Sequence, residues 1–186
     1  MKKGLIFVLL VILLVAAVTF AACDQNETPN DPNKDQDKTV LDLYDGVKSA
    51  KNATQTITIK NGAAEIVIET LSYNFETGKV NIERKMLNSS DADELYTTTT
   101  ETKDITGNAT ANLTRNLLSD VTETATKLTA KVANANLNAV FGIASTDVQG
   151  DATIELVAEG THIAKITVSY TSANGNAVQI VTTYVY

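Results

Sequence analysis

The chain has 186 residues, enough for one domain of ordinary size, and a formal net charge of −7. That charge argues against nucleic acid as a partner, because such binding needs Lys and Arg to neutralise phosphates. Hydrophobic residues make up 44% of the chain, whereas aromatic residues make up 5% and Trp is absent, so we expect a core of Ile, Val, Leu and Ala. One cysteine, Cys23, excludes an internal disulfide.

The first 22 residues have the layout of an export signal. Lys2 and Lys3 precede the apolar stretch 5–18, and small residues then lead to Cys23. In such signals the positive end stays inside while the apolar part enters the membrane. The sequence therefore predicts a signal peptide over 1–22. The apolar stretch is also almost long enough to span a bilayer, so an uncleaved anchor is an alternative.

The sequence FAAC at residues 20–23 resembles the lipobox of bacterial lipoproteins, with Phe20 where an aliphatic residue is usual. The resemblance implies that a diacylglyceryl group is attached to the Cys23 sulfur and that the leader is then removed. It also implies that the new amino terminus is often acylated. Because two or three acyl chains hold a membrane durably, we expect lipid anchoring to the outer, extracytoplasmic face of the bacterial plasma membrane.

Residues 23–38 contain no apolar residue beyond Cys23 and two prolines, which predicts a disordered acidic tether. Several acidic and amide residues fall near the ligand positions of a calcium loop: Asp31, Asn33, Asp35, Asp37 and Asp42. However, Gln36 stands where such a loop needs Gly for its sharp turn. A solvated linker explains the same residues, and we expect no metal.

Residues 39–186 are predicted to form a single antiparallel-sheet domain with two helices. The first helix covers 39–50, because four apolar side chains share one helical face: Val40, Leu43, Tyr44 and Val47. Thr39 is the predicted N-cap, with Asp42 three residues on. The second helix is predicted over 109–121, where a similar spacing recurs: Leu113, Leu117, Leu118 and Val121.

Most of the remaining sequence alternates with a period of two, which indicates seven or eight strands. Turn residues separate the strands at Asn61-Gly62, Glu76–Gly78, Glu159–Thr161 and Asn174-Gly175. Two changes of phase predict a bulge at the first position and a bulge or a break at the second. One lies between Ile68 and Leu71, and the other lies at Val132–Ala133, where a strand over 133–141 would begin.

In the C-terminal meander we expect two sets of side chains each to share a face. The first set is Ala164, Ile166, Val168 and Tyr170, and the second is Val178, Ile180, Thr182, Tyr184 and Tyr186. The pattern as a whole predicts an α+β fold in which a curved antiparallel sheet, an incomplete β-barrel, carries about two helices on one side. A β-sandwich is the alternative.

The order of elements, closing on KITVSYTSANGNAVQIVTTY at residues 165–184, resembles the LolA-like and LppX-like lipoproteins. The resemblance covers residues 39–186. It implies that the concave side of an incomplete barrel accepts lipids or the acyl chains of lipoproteins. No individual binding residue is carried over by it.

We find no sequence signature of catalysis, and we expect no enzymatic activity and no cofactor. The single histidine, His162, opens a strand and is expected at the surface. Nucleophile-elbow, phosphate-loop and zinc-protease motifs are missing from the sequence. An acidic cluster could hold a hard cation but is expected to be a solvated loop: Ser89, Ser90, Asp91, Asp93 and Glu94.

Two hypotheses for function stay open at this point. The chain is either a membrane-anchored module that binds a lipid or other hydrophobic ligand, or a structural lipoprotein that contacts an envelope protein. Four aromatic side chains fit both, since they would line a cavity in the first and fill a core in the second: Tyr73, Phe75, Tyr170 and Tyr184.

Overall fold

The computed structural model describes residues 39–88, 95–105 and 113–186. The predicted signal peptide (1–22), Cys23 and the tether (23–38) lie outside the described residues. So does the acidic cluster at 89–94. Of the calcium-loop residues only Asp42 is described. Within these ranges, no helix is long and apolar enough to cross a bilayer.

The described strands form one open, barrel-like antiparallel sheet with the order β4-β3-β2-β1-β9-β8-β7-β6-β5. The strands are β1 Asn52–Asn61, β2 Ala64–Asn74, β3 Lys79–Leu87, β4 Tyr96–Asp104, β5 Leu118–Glu123, β6 Lys127–Val132, β7 Val148–Glu159, β8 His162–Ser172 and β9 Ala177–Val185. They make two meanders, β1–β4 and β5–β9, which the antiparallel pairing of β1 with β9 joins. The β-sandwich alternative is wrong, because all nine described strands belong to one hydrogen-bonded sheet. Since the helices are short, the fold is mostly β rather than α+β.

The first predicted helix is confirmed as a 3₁₀ helix over Leu41–Ser49. Its start is fixed by a reciprocal cap, as the spacing predicted. Thr39 Oγ1 accepts a hydrogen bond from the Asp42 N–H at 3.3 Å, and Asp42 Oδ2 accepts one from the Thr39 N–H at 2.8 Å. Val40 and Val47 are buried, and their helix packs against β8.

The helix predicted over 109–121 is wrong in its described part. Residues Arg115–Leu117 form one 3₁₀ turn, and β5 follows directly. Leu118 and Val121 nevertheless both pack against the core. They do so because β5 has a bulge, at which Asp120 takes a left-handed φ of 51°.

This bulge imitates a helical spacing in the sequence. The register with β6 shifts between Ser119 and Thr122, so that β5 advances three residues while β6 advances two. The extra residue returns the side chain of Val121 to the face of Leu118. A three-residue apolar spacing therefore arises in a strand.

The mid-chain helix lies further along, as α1 over Asn134–Phe141, where we predicted a strand. Leu137, Val140 and Phe141 are buried at helical spacing, and α1 packs against β7. Gly142 ends the helix with a φ of 66° and donates its N–H to Asn138 O at 2.9 Å. The prediction was wrong because an alternation of Ala and Asn is compatible with both a strand and a helix.

The bulge predicted between Ile68 and Leu71 is also wrong. Val67, Glu69, Leu71 and Tyr73 are all buried, so the alternation of β2 is unbroken and a glutamate occupies one of its core positions. The register shift lies nearer the turn, where Ile66 is the extra residue of β2. In the sequence, the buried charge of Glu69 looks like a change of phase.

The C-terminal meander agrees with the sequence. Its two turns contain Gly160 and Gly175 with φ of 60° and 80°. Ile166, Val168 and Tyr170 share the buried face of β8, and Val178, Ile180 and Thr182 share that of β9. Ala164 departs from the expectation, because a register shift in β8 gives its buried place to Ile163.

One side of the sheet, which we call the inner face, carries the core. Its fully buried side chains include Leu128, Ile154, Leu156, Ile163 and Ile180, which belong to the same core cluster as Leu137 and Phe141 of α1. The other side, the outer face, is largely polar. This division into two faces positions the site described next.

Candidate functional site

Polar side chains interrupt the apolar inner face along strands β3, β2, β1 and β9. We call them the inner-face polar cluster: Gln55, Glu69, Tyr73, Arg84 and Thr182. The strand register brings them together, because Gln55 lies opposite Thr182 and Glu69 lies opposite Arg84. Gln55 Nε2 donates a hydrogen bond to Thr182 Oγ1 at 3.2 Å. Residues far apart in the chain therefore meet on one face.

The strongest contact of the cluster joins Arg84 to Glu69. Arg84 Nε donates a hydrogen bond to Glu69 Oε2, and Arg84 Nη2 forms an ion pair with the same oxygen. The Glu69 side chain is 4% exposed and that of Arg84 is 19% exposed. Burying a carboxylate is costly unless a cation and hydrogen bonds compensate for the lost water. Arg84 supplies both, and its side chain keeps part of its surface exposed to solvent.

Tyr73 lies on the same face of β2 as Glu69. The residue is 5% exposed, and its hydroxyl has no hydrogen-bond partner among the described residues. Burial raises the pKa of Tyr73 above its usual value, and the charge of Glu69 adds to the effect. A buried hydroxyl without a partner loses its hydrogen bonds to water without replacement. Tyr73 therefore retains an unused polar group inside the apolar face.

More tyrosines gather at this end of the sheet. Ala53 lies between Tyr73 and Tyr184 in the register, and its small side chain leaves room for both rings. Burial is the main cause of the raised pKa of Tyr184. The neighbouring Tyr44, Tyr186 and Tyr73 raise it further, in that order. Burial also raises the pKa of Tyr44 to about 12. These phenols are therefore neutral hydrogen-bonding groups at physiological pH.

His162 is exposed at the start of β8, as the sequence predicted. Its ring stacks on Tyr186 with 4.3 Å between centroids. The Tyr186 hydroxyl donates to Ile163 O at 2.9 Å, which fixes the C-terminal ring against β8. In the described ranges, no three His, Cys, Asp or Glu side chains lie close enough together to hold a metal ion.

Two open grooves lie on the sheet, and most of their lining side chains belong to the outer face. One, of about 490 Å³, crosses β1, β9, β8 and β7 and includes Thr58, Thr153, Ser169 and Gln179. The other, of about 530 Å³, crosses β2, β3 and β4 and includes Thr70, Ser72, Asn81 and Thr100. Hydroxyl and amide groups dominate both linings. Their chemistry suits a polar partner rather than an acyl chain.

The sequence reasoning singled out the aromatic residues and missed the charges. Tyr73 and Tyr170 are buried, and Phe75 and Tyr184 pack against the same core. Glu69, Arg84 and Gln55 were not recognised as a group. The available signal was Glu69 itself, which sits where the alternation of β2 demands a buried side chain.

No protein-family model and no curated protein matches the chain. Among solved structures, a redesigned β-barrel, mFAP1, bound to DFHBI is 11% identical over 78% of this chain and 99% of its own, with a TM-score of 0.26. A second redesigned β-barrel is 7% identical over 78% and 94%, with a TM-score of 0.26. The N-lobe domain of lactoferrin binding protein B of Moraxella bovis is 8% identical over 73% and 59%, with a TM-score of 0.25. At such low scores, these proteins do not indicate a function for this chain.

Proposed function

We propose that the chain is a non-catalytic bacterial lipoprotein, anchored through Cys23 to the outer face of the plasma membrane, whose sheet domain binds a lipid or other hydrophobic ligand. Support for the anchor comes from the basic start, the apolar stretch and the sequence FAAC. The anchor would hold the domain beside a source of apolar ligands.

The inner-face polar cluster is the observation that carries ligand binding. Binding sites for small molecules combine apolar walls with a few placed polar groups. The inner face has this composition, because the Glu69–Arg84 pair and the Tyr73 hydroxyl are set among buried Leu71 and Ile82. A buried hydroxyl without a partner does not stabilise a sheet, so its presence needs another explanation.

The chemistry of the cluster favours an amphiphile with a carboxylate or phosphate head. A guanidinium has five N–H donors, and Glu69 is contacted by two of the three nitrogens of Arg84. The Tyr73 hydroxyl supplies a further donor. Met86 and Ile59 are half-buried on the same face and continue it with apolar surface. Each acyl CH₂ group buried there would contribute about 0.8 kcal/mol.

The test uses the full chain in cells fed a fatty acid that carries a diazirine and an alkyne. After irradiation, mass spectrometry identifies the peptides that carry adducts. We expect adducts on residues 64–87 in addition to label at the N-terminal anchor. The double variant Glu69→Leu with Arg84→Leu should lose adducts at 64–87 by about tenfold or more, as expected when a charged hydrogen bond is lost.

Lys85→Ala is the matched control, because it removes one positive charge from the same strand on the opposite face. Its adducts should equal those of the wild type. Adducts confined to the N-terminal peptide, or equal in all three proteins, would rule out binding at the inner face.

The anchor is tested separately with radiolabelled palmitate. The wild type should incorporate label and lose its leader, whereas Cys23→Ala should do neither. If the wild type stays unlabelled and membrane-bound with its leader intact, it is a single-pass anchored protein instead.

A structural lipoprotein that contacts an envelope protein is the second candidate. The observation that favours it is the exposure of β4, whose residues Thr97–Asp104 are all exposed. Cross-linking in intact cells should then trap one defined envelope protein. Recovery of unrelated neighbours in varying amounts would count against this function.

A further inference from the structure

β4 ends the sheet with an edge to which no described strand is paired. The hydrogen bonds at its two ends show which backbone groups that edge presents. Asn88 N–H donates to Leu95 O, and Ile105 N–H donates to Gly78 O. The backbone N–H and C=O groups of the odd-numbered residues of this segment therefore point toward β3. In an antiparallel ladder the alternate residues face the other way. The residues whose backbone N–H and C=O groups point away from β3, which we call outward-facing, are Tyr96, Thr98, Thr100, Thr102 and Asp104.

The opposite edge of the sheet has two features that hinder pairing and that β4 lacks. β5 has six residues and a bulge with a left-handed residue, Asp120. Short, bulged edge strands are poor templates for another strand. β4 has nine residues, no proline and an unbroken register with β3 over its whole length. Four consecutive threonines, 97–100, give it a high preference for extended backbone.

We propose that β4 pairs with β4 of a second copy of this chain, antiparallel and centred on Thr100. In this register Tyr96 faces Asp104 of the other copy, Thr98 faces Thr102, and Thr100 faces its own counterpart. Every outward-facing residue then pairs with another outward-facing residue. All the free N–H and C=O groups of both edges are used, and the two sheets become one continuous sheet.

The charges of β4 are compatible with this register. Glu101 would lie opposite Thr99, and Lys103 opposite Thr97, so no like charges face each other directly. The two Glu101 side chains would be diagonal neighbours. Each has its own cation, because Lys103 Nζ lies 2.7 Å from Glu101 Oε1 on the same strand.

The pairing would bury little apolar surface, so we expect a weak dimer in dilute solution. Anchoring both copies to one membrane raises their effective concentration, which favours a contact of this kind. β4 carries no residue of the inner-face polar cluster, so dimerisation and ligand binding are separable by mutation.

The first test is disulfide trapping in membranes that contain the full chain. Thr100→Cys places two cysteines directly opposite each other, with about 5.5 Å between Cα atoms, within the range of a disulfide. Mild oxidation should give covalent dimers in at least fivefold excess over the wild type, whose own cysteine is Cys23. Co-expressed Thr98→Cys and Thr102→Cys chains should also form dimers. Ser119→Cys on the β5 edge should not.

The second test blocks the edge without breaking β4 from β3. Thr100→Pro removes an outward-facing N–H, and Thr100→Val keeps it. When Thr100→Pro is added to the Thr98→Cys and Thr102→Cys chains, we expect about tenfold fewer dimers. Adding Thr100→Val instead should leave the yield of dimers unchanged. Circular dichroism of each variant checks that the sheet is retained. Equal trapping at Ser119, insensitivity to proline, or trapping of a different protein alone would overturn the proposal.

Discussion

Glu69 and Arg84 face each other across β2 and β3 on the inner face, and both guanidinium contacts converge on one carboxylate oxygen, Oε2. Removing one member leaves a buried charge without its partner. We therefore expect Arg84→Ala to lower the free energy of unfolding by about 3–5 kcal/mol. Glu69→Leu with Arg84→Leu should stay within about 1 kcal/mol of the wild type, since apolar residues of similar volume avoid the cost of desolvation.

Urea denaturation of the single and double variants measures both values. If Arg84→Ala were as stable as the wild type, Glu69 would have another route to solvent or another cation. The buried ion pair would then not contribute to the stability of the fold.

Tyr73→Phe should stabilise the protein by about 1 kcal/mol, because it removes a buried hydroxyl that has no partner among the described residues. Tyr186→Phe is the matched variant and removes a hydroxyl that donates to Ile163 O at 2.9 Å. It should destabilise by about 1 kcal/mol. Thermal melts of the two variants should thus move in opposite directions. A loss of stability in Tyr73→Phe would mean that a bound group satisfies the hydroxyl.

Stability should fall as the pH rises from 10 to 12. The pKa of Tyr44 is raised from 10.0 to about 12, chiefly by burial. The unfolded chain therefore loses this proton first, and the stabilisation that is complete below pH 10 disappears as the pH approaches 12. A shift of this size corresponds to at most about 3 kcal/mol for one group.

Tyr44→Phe should reduce the loss of stability between pH 10 and 12 by the contribution of this one group, because the pKa of Tyr73 and of Tyr184 is also raised by burial. Chemical denaturation at each pH measures this difference. Tyrosinate absorbance follows the ionisation directly in the folded protein. Ionisation of all tyrosines at their ordinary pKa, without unfolding, would contradict the burial of Tyr44.

Two glycine substitutions should have opposite signs. Gly142 has a φ of 66° after α1, so Gly142→Ala should destabilise by about 1–2 kcal/mol. Gly46 lies inside the 3₁₀ helix, and a Cβ there would meet nothing within 4 Å. Gly46→Ala should stabilise by about 0.4–1 kcal/mol, because it restricts the unfolded chain. Shifts of the melting temperature in the same direction for both variants would contradict the prediction.

Local chemistry accounts for what could be predicted. The cap at Thr39 and Asp42 and the turns at Gly160 and Gly175 depend on neighbouring residues alone, and each was found where the sequence indicated. The alternating faces of β8 and β9 were predicted for the same reason. A period of two needs no knowledge of the partner strand.

Two of the failed predictions share a cause in long-range pairing. A bulge at Asp120 gave β5 a helical spacing, and a buried Glu69 made β2 appear to change phase. Neither is visible without the opposite strand. Glu69 is tolerated in the core because Arg84 lies across from it, fifteen positions along the chain.

The sequence by itself determined that this chain is acidic and rich in β-strands, because composition, period and turn chemistry are properties of short segments. Only the tertiary structure decided that the nine described strands form one sheet, that its inner face contains a polar cluster and that no other described strand pairs with the outer edge of β4. These features depend on which strands pair and in which register. That choice is made by contacts between residues as far apart as Gln55 and Thr182.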